Sequence, residues 1–297
     1  MARIVECVPN FSEGRRAAVI EAIAAAVRAS DGVRLLDIQA DPSHNRCVLS
    51  FVGELGAVTA AALAAAGRAV ELIDMNAHEG EHPRLGAVDV IPLVPVAGLS
   101  MEECVAASRD LGRRIWEQFR VPVFFYAEAA TRPERRRLPD IRKGEYEGLA
   151  AKLGDPAWAP DAGDPVAHPT AGATVVGARR PLIAYNINLT TLDVDVAKQI
   201  ARGVRESTGG LVNVQAMGVK SDTGQAQVSM NLLDYTRTPI HRAFELVRTE
   251  AARWGVDILE SQVVGLIPLD ALADAARFYL RLRGFAREQI LETRLME

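Results

Sequence analysis

His78 and His82 lie four residues apart in the segment HEGEH, and they are two of the five histidines in the chain. Imidazole side chains gain and lose protons readily near neutral pH, and loops beside rigid strands often present such groups to ligands. Glycine and proline residues surround the segment, and an apolar run follows at 88–94. This pattern predicts a loop that leads into a strand, with acid-base chemistry at its histidines.

The same segment also fits the H-E-x-x-H pattern of zinc metalloproteases, in which Glu79 would be the general base. That pattern brings both imidazoles to one metal ion only when the segment is helical, because residues i and i+4 then share a face. Gly80 disfavours a helix, and Pro83 moves the preceding His82 away from helical backbone angles. The sequence therefore favours an irregular loop without a metal over a zinc site.

Hydrophobic periodicity predicts the elements that must position this loop. The predicted strands are residues 3–8, 33–38, 47–52, 88–94, 121–126, 182–189, 212–219, 225–232 and 256–264. The predicted helices are 13–28, 57–73, 100–119, 194–206 and 239–254, and the tail from residue 270 splits into two helices near Gly284. Ser100 and Glu103 have the spacing of a capping box. The βαββαβ order occurs twice, so we expect an α/β (α+β) protein of two ferredoxin-like subdomains.

We assign residues 1–178 to the N-terminal subdomain and 179–297 to the C-terminal one. Their sheets are expected to face each other across a ligand cleft, because small-molecule sites favour domain interfaces. Residues 155–177 contain Pro156, Pro160, Pro165 and Pro169, which indicates an ordered, functional connector rather than a helix. Pro92 and Pro95 suggest that the strand after the histidine loop lies at a sheet edge.

Composition excludes several classes of protein. The chain has 297 residues, of which 49% are hydrophobic, and a formal net charge of −4, so it offers no basic field for nucleic acid. Three scattered cysteines fit a reducing compartment. The N-terminal residues do not have the pattern of a signal peptide, and Gly67, Arg68 and Glu71 interrupt the most apolar helix. We expect a cytoplasmic protein without nucleic-acid or membrane partners.

Six sequence blocks resemble the glutamate formimidoyltransferase family, including the formimidoyltransferase part of formimidoyltransferase-cyclodeaminase. The blocks are VECVPNFSEG at 5–14, GEHPR at 80–84, GEYE at 144–147, WAPD at 158–161, GATVVGAR at 172–179 and IAYNINL at 183–189. Several ordered blocks along one chain are far more specific than one short motif.

The resemblance implies transfer of a formimino group between N-formimidoyl-L-glutamate and N5 of tetrahydrofolate, within histidine degradation and one-carbon metabolism. Tetrahydrofolate would be a co-substrate, no metal would be needed, and the protein would be a homodimer. The catalytic histidine of the family matches His82. A single imidazole there could remove a proton from the incoming nitrogen and deliver one to the departing glutamate nitrogen.

The resemblance also implies where the substrates bind. The folate segment corresponds to Gly163, Asp164, Pro165, Val166, Ala167, His168, Pro169, Thr170, Ala171 and Gly172. Asn10, Arg46 and Arg84 are further candidates for substrate contacts. Both substrates carry carboxylates, and arginine suits bidentate carboxylate contacts. The other candidate arginines are Arg132, Arg135, Arg136, Arg137, Arg142 and Arg179, although the run 135–137 by itself indicates a solvated face.

The partner of His82 stays open. Members of the bifunctional branch have an acidic residue at the position that matches Gln39, so either Asp41 substitutes for it or His44 takes part. The resemblance also leaves the transferred group open, because some relatives use N-formylglutamate and form 5-formyltetrahydrofolate. A folate-binding protein without catalysis is the third alternative. His78 is expected to be a loop residue that hydrogen-bonds to backbone.

Overall fold

The computed structural model describes residues 3–296, and the chain divides into two compact units with the boundary between Arg179 and Arg180. Unit 1 contains the strands β1 (Ile4–Cys7), β2 (Asn10–Phe11), β3 (Val33–Asp41), β4 (Arg46–Gly53), β5 (Val88–Ala97), β6 (Val123–Ala127) and β7 (Thr174–Ala178). Its helices are α1 (Ala17–Arg28), α2 (Leu55–Leu72), α3 (Met101–Phe119), α4 (Leu138–Arg142) and α5 (Leu149–Leu153).

The sheet of unit 1 has a ferredoxin-like centre with an extension. β3 pairs with β4, and β4 pairs with both β1 and β2, which form one interrupted row between β4 and β5. This antiparallel order is the one expected for a βαββαβ unit, in which the first and third strands are central. Beyond β5 the sheet continues through β7 to β6, and both of these pairings are parallel. The predicted fold class is confirmed for unit 1.

The prediction that residues 155–177 are a connector throughout is wrong at their C-terminal end, where β7 begins. Residues 174–178 form a fully buried strand between β5 and β6. Between Gly172 and Gly177 the only apolar pair is Val175-Val176, which is too short to indicate a strand beside the nearby prolines. A buried parallel strand has no polar alternation, so a short one lacks the periodic pattern by which strands are recognised.

The expected edge position of β5 is also wrong, because β5 lies inside the sheet between the β1–β2 row and β7. Pro92 fits there since it lies opposite the break between β1 and β2, where its carbonyl oxygen accepts a hydrogen bond from Val8 N at 3.3 Å. Pro95 pairs with Val5 beside a register shift. Local irregularity of the ladder thus accommodates residues that lack an N–H group.

The main core of unit 1 lies between the sheet and the helices α1, α2 and α3. Cys47, Leu49 and Phe51 on β4 are buried in this core. Side chains alternate along a strand, so Arg46 and Val48 emerge on the opposite face of the sheet. Over β5, β7 and β6 that opposite face carries a second, smaller core formed with α4 and α5. Arg46 therefore projects on the face that bears this smaller core.

Two helices of unit 1 test predictions made from the sequence. Ser100 Oγ accepts a hydrogen bond from Glu103 N at 3.2 Å, and Glu103 Oε2 accepts one from Ser100 N at 2.9 Å, so the predicted capping box at the start of α3 is confirmed. Within residues 3–296, α2 is the one helix long and apolar enough to cross a membrane, so Gly67, Arg68 and Glu71 do not exclude it by composition as predicted, although 50% of that stretch is buried. Its alanines pack into the main core, as in a core helix.

Unit 2 has one four-stranded antiparallel sheet of the same ferredoxin-like type. Its strands are β8 (Ile183–Leu189), β9 (Val214–Lys220), β10 (Ala226–Leu232) and β11 (Ile258–Val264), in the order β11-β8-β10-β9. Its helices are α6 (Val194–Val204), α7 (Ile240–Ala252), α8 (Leu269–Leu280) and α9 (Leu291–Met296). The core lies between this sheet and α6, α7 and the start of α8. The predicted split of the tail into two helices is confirmed.

Arg135 departs from the solvated face predicted for the run 135–137. Its side chain is 1% exposed and forms an ion pair with Asp161, at 2.6 Å from Nη1 to Oδ2. The guanidinium lies 5.2 Å from the ring centroid of Phe124 and 5.9 Å from that of Trp158. Asp161 also accepts a hydrogen bond from Phe125 N at 2.8 Å. A buried and fully surrounded pair of this kind holds the segment after β6 to the sheet.

We expect Arg135→Met to lower the free energy of unfolding by about 3 to 5 kcal/mol, because Asp161 would keep a buried charge without its partner. Arg136→Met is the matched control, since the Arg136 side chain is 69% exposed and its ion pair with Glu128 spans 4.0 Å. That variant should change stability by less than about 0.5 kcal/mol. Urea denaturation of both variants measures the difference, and equal stabilities would contradict the proposed role of the buried pair.

Candidate active site

The histidine loop, residues 74–87, has little regular structure of its own. Asp74 accepts a hydrogen bond from Asn76 N at 2.9 Å and begins a single 3-10 turn at Met75–Ala77. Neither His78 nor His82 lies in a helix, so the predicted irregular loop is confirmed and the two imidazoles lack the helical i, i+4 arrangement. His78 Nε2 contacts the carbonyl oxygen of Asn45 at 2.9 Å, which is the backbone contact expected for it.

Asn45 joins this loop to two other segments. Its Oδ1 accepts a hydrogen bond from Gly14 N at 2.9 Å, and its Nδ2 donates one to the Glu79 carbonyl oxygen at 2.9 Å. The Asn45 backbone has φ 46°, a left-handed conformation that asparagine tolerates better than most residues. The β3–β4 turn, the segment before α1 and the histidine loop are thus fixed together by one buried side chain.

Gly80 allows the histidine loop to approach the β3–β4 turn closely. A Cβ atom at this position would lie 2.4 Å from the carbonyl oxygen of His44 and 2.8 Å from Cβ of Asn45. Distances this short are not tolerated, so any side chain would push the two segments apart. The glycine that argues against a zinc helix in the sequence therefore has a packing role in the structure.

His82 is half-buried and contacts Arg46, the first residue of β4. The distance from Arg46 Nη1 to His82 Nε2 is 2.7 Å. A guanidinium group has only N–H donors, so Nε2 must be the acceptor and the proton of the neutral ring must lie on Nδ1. The structure therefore brings together the predicted catalytic histidine and one of the predicted substrate-binding arginines.

Burial and positive neighbours keep His82 neutral. Burial, followed by the charges of Arg46 and Arg142, lowers the pKa of His82 to about 2, and Asp41 opposes this only weakly. Arg142 is anchored by an ion pair with Asp89, a buried carboxylate on β5 whose other oxygen accepts from Leu85 N at 2.9 Å. The site thus holds two guanidinium groups beside one neutral imidazole.

Asp41 and His44 form a second pair in the β3–β4 turn. His44 Nδ1 lies 2.7 Å from Asp41 Oδ2, and the ring centroids of His44 and His82 are 6.3 Å apart in an edge-to-face arrangement. Partial burial raises the pKa of Asp41, but hydrogen bonds from Ser43 and His44 outweigh it and lower the pKa to about 2. The ionised Asp41 can orient the His44 ring through Nδ1, as a carboxylate does in a catalytic triad. Gln39 instead donates to Asp37, at 2.8 Å.

The end of the predicted folate segment, 168–172, forms a tight turn. The backbones of His168 and Gly172 exchange hydrogen bonds of 2.9 and 3.1 Å, and His168 Nδ1 accepts from Ala171 N at 2.9 Å. The proton of the neutral His168 ring therefore lies on Nε2. Burial lowers the pKa of His168. The preceding residues Asp164, Pro165 and Val166 are exposed, with Val166 at 67%.

Backbone contacts bind this turn to the histidine loop. Met75 N donates to the Thr170 carbonyl oxygen at 2.7 Å, and Ala87 N donates to that of Ala171 at 2.9 Å. Gly86 permits the approach, since a Cβ there would lie 2.3 Å from the carbonyl oxygens of Ala171 and Ala173. The histidine loop leads into β5 and the turn leads into β7, and these strands are parallel neighbours. Their preceding loops therefore lie at the same edge of the sheet.

Two other candidates have contacts of their own. Arg84 is buried at 5% exposure and pairs with Glu145 at 3.0 Å and with Glu147 at 2.6 Å. Its guanidinium already binds two carboxylates. Asn10 on β2 is half-buried, and its Nδ2 donates to the Val8 carbonyl oxygen at 3.1 Å.

The remaining candidate arginines lie elsewhere in unit 1. Arg132 binds the carbonyl oxygen of Ala157 at 2.6 Å, and Arg137 lies 3.7 Å from Asp140. The Arg179 charge opposes the rise that burial causes in the pKa of Glu6. Of the candidate arginines, Arg46 and Arg142 are the two whose charges most strongly affect His82.

Comparison with known families identifies the chain. The family described as formiminotransferase domain, N-terminal subdomain, matches residues 4–179, and the formiminotransferase domain family matches residues 184–293. The chain belongs to the formiminotransferase family. As a member of this transferase family, it is 46% identical to a glutamate formimidoyltransferase of Streptococcus pyogenes serotype M1, over 100% of both chains.

Two further relatives have similar identity. A glutamate formimidoyltransferase of Thermoplasma acidophilum is 48% identical over 98% of this chain and 97% of its own length. The formimidoyltransferase-cyclodeaminase of Gallus gallus is 49% identical over 95% of this chain, but that match covers only 53% of the larger protein. The match thus spans nearly all of the two glutamate formimidoyltransferases and about half of the formimidoyltransferase-cyclodeaminase.

Sequence reasoning missed two residues that shape the site of this formiminotransferase. Asp89 anchors Arg142, and its signal was a single acid in the otherwise apolar run VDVIPLV. A buried acid without a partner is costly, so an acid in such a run predicts a buried cation nearby. Asn45 had no distinctive signal beyond its position in a turn.

We expect Gly80→Ala to lower the free energy of unfolding by about 1 to 3 kcal/mol, as overpacking does in well-packed regions. Gly56→Ala in the first turn of α2 is the matched control, because nothing lies within 4 Å of its added Cβ. Alanine there should be neutral or stabilising. Denaturant unfolding of the two variants checks this expectation, which fails if Gly80→Ala is as stable as the unmodified protein.

Acid should destabilise the protein through His82. The pKa of His82 is about 2 in the folded state, against 6.5 for an unperturbed histidine, so between these values the unfolded chain binds the additional proton. The stabilisation is complete above about pH 6.5 and is lost as the pH falls. Between about pH 7.5 and pH 5 the unmodified protein should lose about 2 kcal/mol more than His82→Gln. Parallel losses in the two proteins would show that His82 protonates normally when folded.

Proposed function

We propose that the chain is a glutamate formimidoyltransferase, which transfers the formimino group of N-formimidoyl-L-glutamate to N5 of tetrahydrofolate. The full-length similarity to two proteins of that name supports the activity. The observation that carries the proposal is the group of His82, Arg46 and Arg142, a proton-transfer residue beside two cations. A substrate with carboxylates and an exchangeable proton matches this combination.

The proposed reaction is a substitution at the amidine carbon. N5 of tetrahydrofolate forms a bond to this carbon, and the adduct becomes tetrahedral. His82 takes the proton from N5 and returns one to the glutamate nitrogen, whose bond to the carbon then breaks. The products are 5-formiminotetrahydrofolate and glutamate, and no proton is gained or lost overall. The electrophile is already cationic when protonated, so the residues need supply only proton transfer and orientation.

Asp41 and His44 are proposed to assist rather than to replace His82. The ring centroids of His44 and His82 are 6.3 Å apart in an edge-to-face arrangement, so a substrate group that reaches His82 would also lie close to His44. Asp41 would hold the Nδ1 proton of His44 and leave its Nε2 lone pair toward the site. This pair would replace the acidic residue that members of the bifunctional branch have at the position of Gln39.

The folate is proposed to bind along residues 163–172. The support is that this segment is tied to the histidine loop by several backbone hydrogen bonds, while its residues 164–166 stay exposed. A segment that is already ordered loses little entropy when a ligand binds. Arg84 is proposed to position this region through Glu145 and Glu147 rather than to contact substrate.

We further propose that the reaction belongs to histidine degradation, that the protein is cytoplasmic and that it forms a homodimer.

The test compares two donors, N-formimidoyl-L-glutamate and N-formyl-L-glutamate, with tetrahydrofolate as acceptor. We expect transfer from the formimino donor, and His82→Ala should lower kcat by about 10² to 10⁴ while folate affinity changes little. Mass spectrometry distinguishes 5-formimino- from 5-formyltetrahydrofolate. His241→Ala in unit 2 is the matched control and should keep its activity.

The other outcomes have definite meanings. Exclusive use of the formyl donor would make the protein a formyltransferase that forms 5-formyltetrahydrofolate. Binding of tetrahydrofolate without turnover of either donor would make it a folate-binding protein. Full activity of His82→Ala would refute the proposed acid-base role of that histidine.

A further inference from the structure

The contact between Arg46 and His82 occupies the one basic nitrogen of the imidazole. A neutral imidazole has a single available lone pair, here on Nε2, because Nδ1 carries the proton. Arg46 Nη1 donates to that lone pair at 2.7 Å. As long as this hydrogen bond lasts, His82 cannot take a proton from a substrate. The ring is placed for chemistry and is blocked at the same time.

The charges around the ring act in the same direction. Arg46 on β4, Arg142 on α4 and His44 in the β3–β4 turn all disfavour a positive charge on His82, and Asp41 favours it. A general acid-base catalyst works best when its pKa is near the operating pH. Burial and these neighbours hold the pKa of His82 far below that range. Something must reach the site and change the charge balance before His82 can act.

A carboxylate is the group that could do so, and Arg46 is the cation best able to respond. Arg142 is already held by Asp89 and Arg84 by two glutamates. Among the described residues 3–296, no acidic side chain forms an ion pair with Arg46. The guanidinium of Arg46 donates instead to the neutral ring of His82. A guanidinium prefers a bidentate, charge-assisted contact with a carboxylate to a single hydrogen bond with a neutral ring. An arriving carboxylate would therefore draw Arg46 away.

We propose that Arg46 is a positioning residue that keeps His82 blocked until a carboxylate of the glutamate donor displaces it. The inference rests on the proposed function and adds a condition to it. The donor would bring the negative charge that releases Nε2 and offsets the positive neighbours. The acid-base group would then become active only when the substrate is present. Part of the binding free energy of the donor's carboxylate, which does not itself react, would thus be used to activate His82.

The experiment uses ¹⁵N-histidine-labelled full-length protein and follows His82 by NMR during a pH titration. His82→Gln assigns its signals. The inert probe is N-acetyl-L-glutamate, a dicarboxylate whose acyl group is an ordinary amide. In the free protein, the shifts should show a neutral ring with its proton on Nδ1 down to about pH 5. With saturating probe, His82 should titrate at a clearly higher pH than in the free protein, because the carboxylate offsets the positive neighbours while the burial of the ring remains.

Variants of Arg46 distinguish a residue that blocks His82 from one that only binds the probe. Arg46→Met should let His82 titrate higher in the free protein and should abolish the response to the probe. Arg46→Lys keeps the charge and should restore only part of the response, because lysine cannot form the bidentate contact. Arg34→Met is the matched control, since Arg34 is exposed and lies at the other end of the β3–β4 hairpin. It should behave as the unmodified protein does.

Three results would overturn the proposal. The first is normal titration of His82 in the free protein, the second is a folded Arg46→Met variant in which the titration is unchanged, and the third is the absence of any response of His82 to the probe. These readouts need no turnover, so they separate the inference from the proposed function. If the NMR response occurs but neither donor is consumed, the proposed transferase activity fails while the role of Arg46 stands. If both donors react but the response is missing, the inference alone fails.

Discussion

A guanidinium group donates hydrogen bonds and cannot accept them, and the arrangement around His82 depends on this asymmetry. Arg46 is the first residue of β4, and the alternation of that strand directs it to the face opposite α1 and α2. There the guanidinium of Arg46 donates a hydrogen bond to the imidazole of His82, which must use its single available lone pair to accept it. The second cation, Arg142, is kept in place by Asp89 on β5. The state of the histidine is therefore set by residues of β4, β5 and α4 rather than by its own loop.

The histidine loop has little regular structure, and the segments around it fix the positions of its residues. Asn45 and Gly80 hold one side of it against the β3–β4 turn. The turn at 168–172 holds the other side through backbone hydrogen bonds. Both loops precede parallel neighbours, β5 and β7, so the sheet delivers them to the same edge. A catalytic group can lie on an irregular loop when the scaffold on either side of it is rigid.

Much of the fold follows from periodicity, and the site follows only in part. The two βαββαβ series, the capping box of α3 and the irregular character of the loop at 78–82 were all predicted correctly, because each depends on local patterns. β7 was missed since five buried residues carry no alternation, and the proline rule failed for β5 because the neighbouring row is interrupted opposite Pro92. Arg135 was misjudged because burial of a cation depends on a partner, Asp161, that is 26 residues away. The contact between Arg46 and His82 joins residues 36 apart, and no local rule pairs them.

The insertion of β7 between β5 and β6 affects the order in which the chain can be assembled. When the ribosome has released β6 but has not yet released residue 178, the sheet of unit 1 still lacks its inner parallel strand. β5 and β6 then each present an unpaired apolar edge, which is a site for association with other chains. These two edges stay open to association until residues 174–178 emerge and pair with both strands.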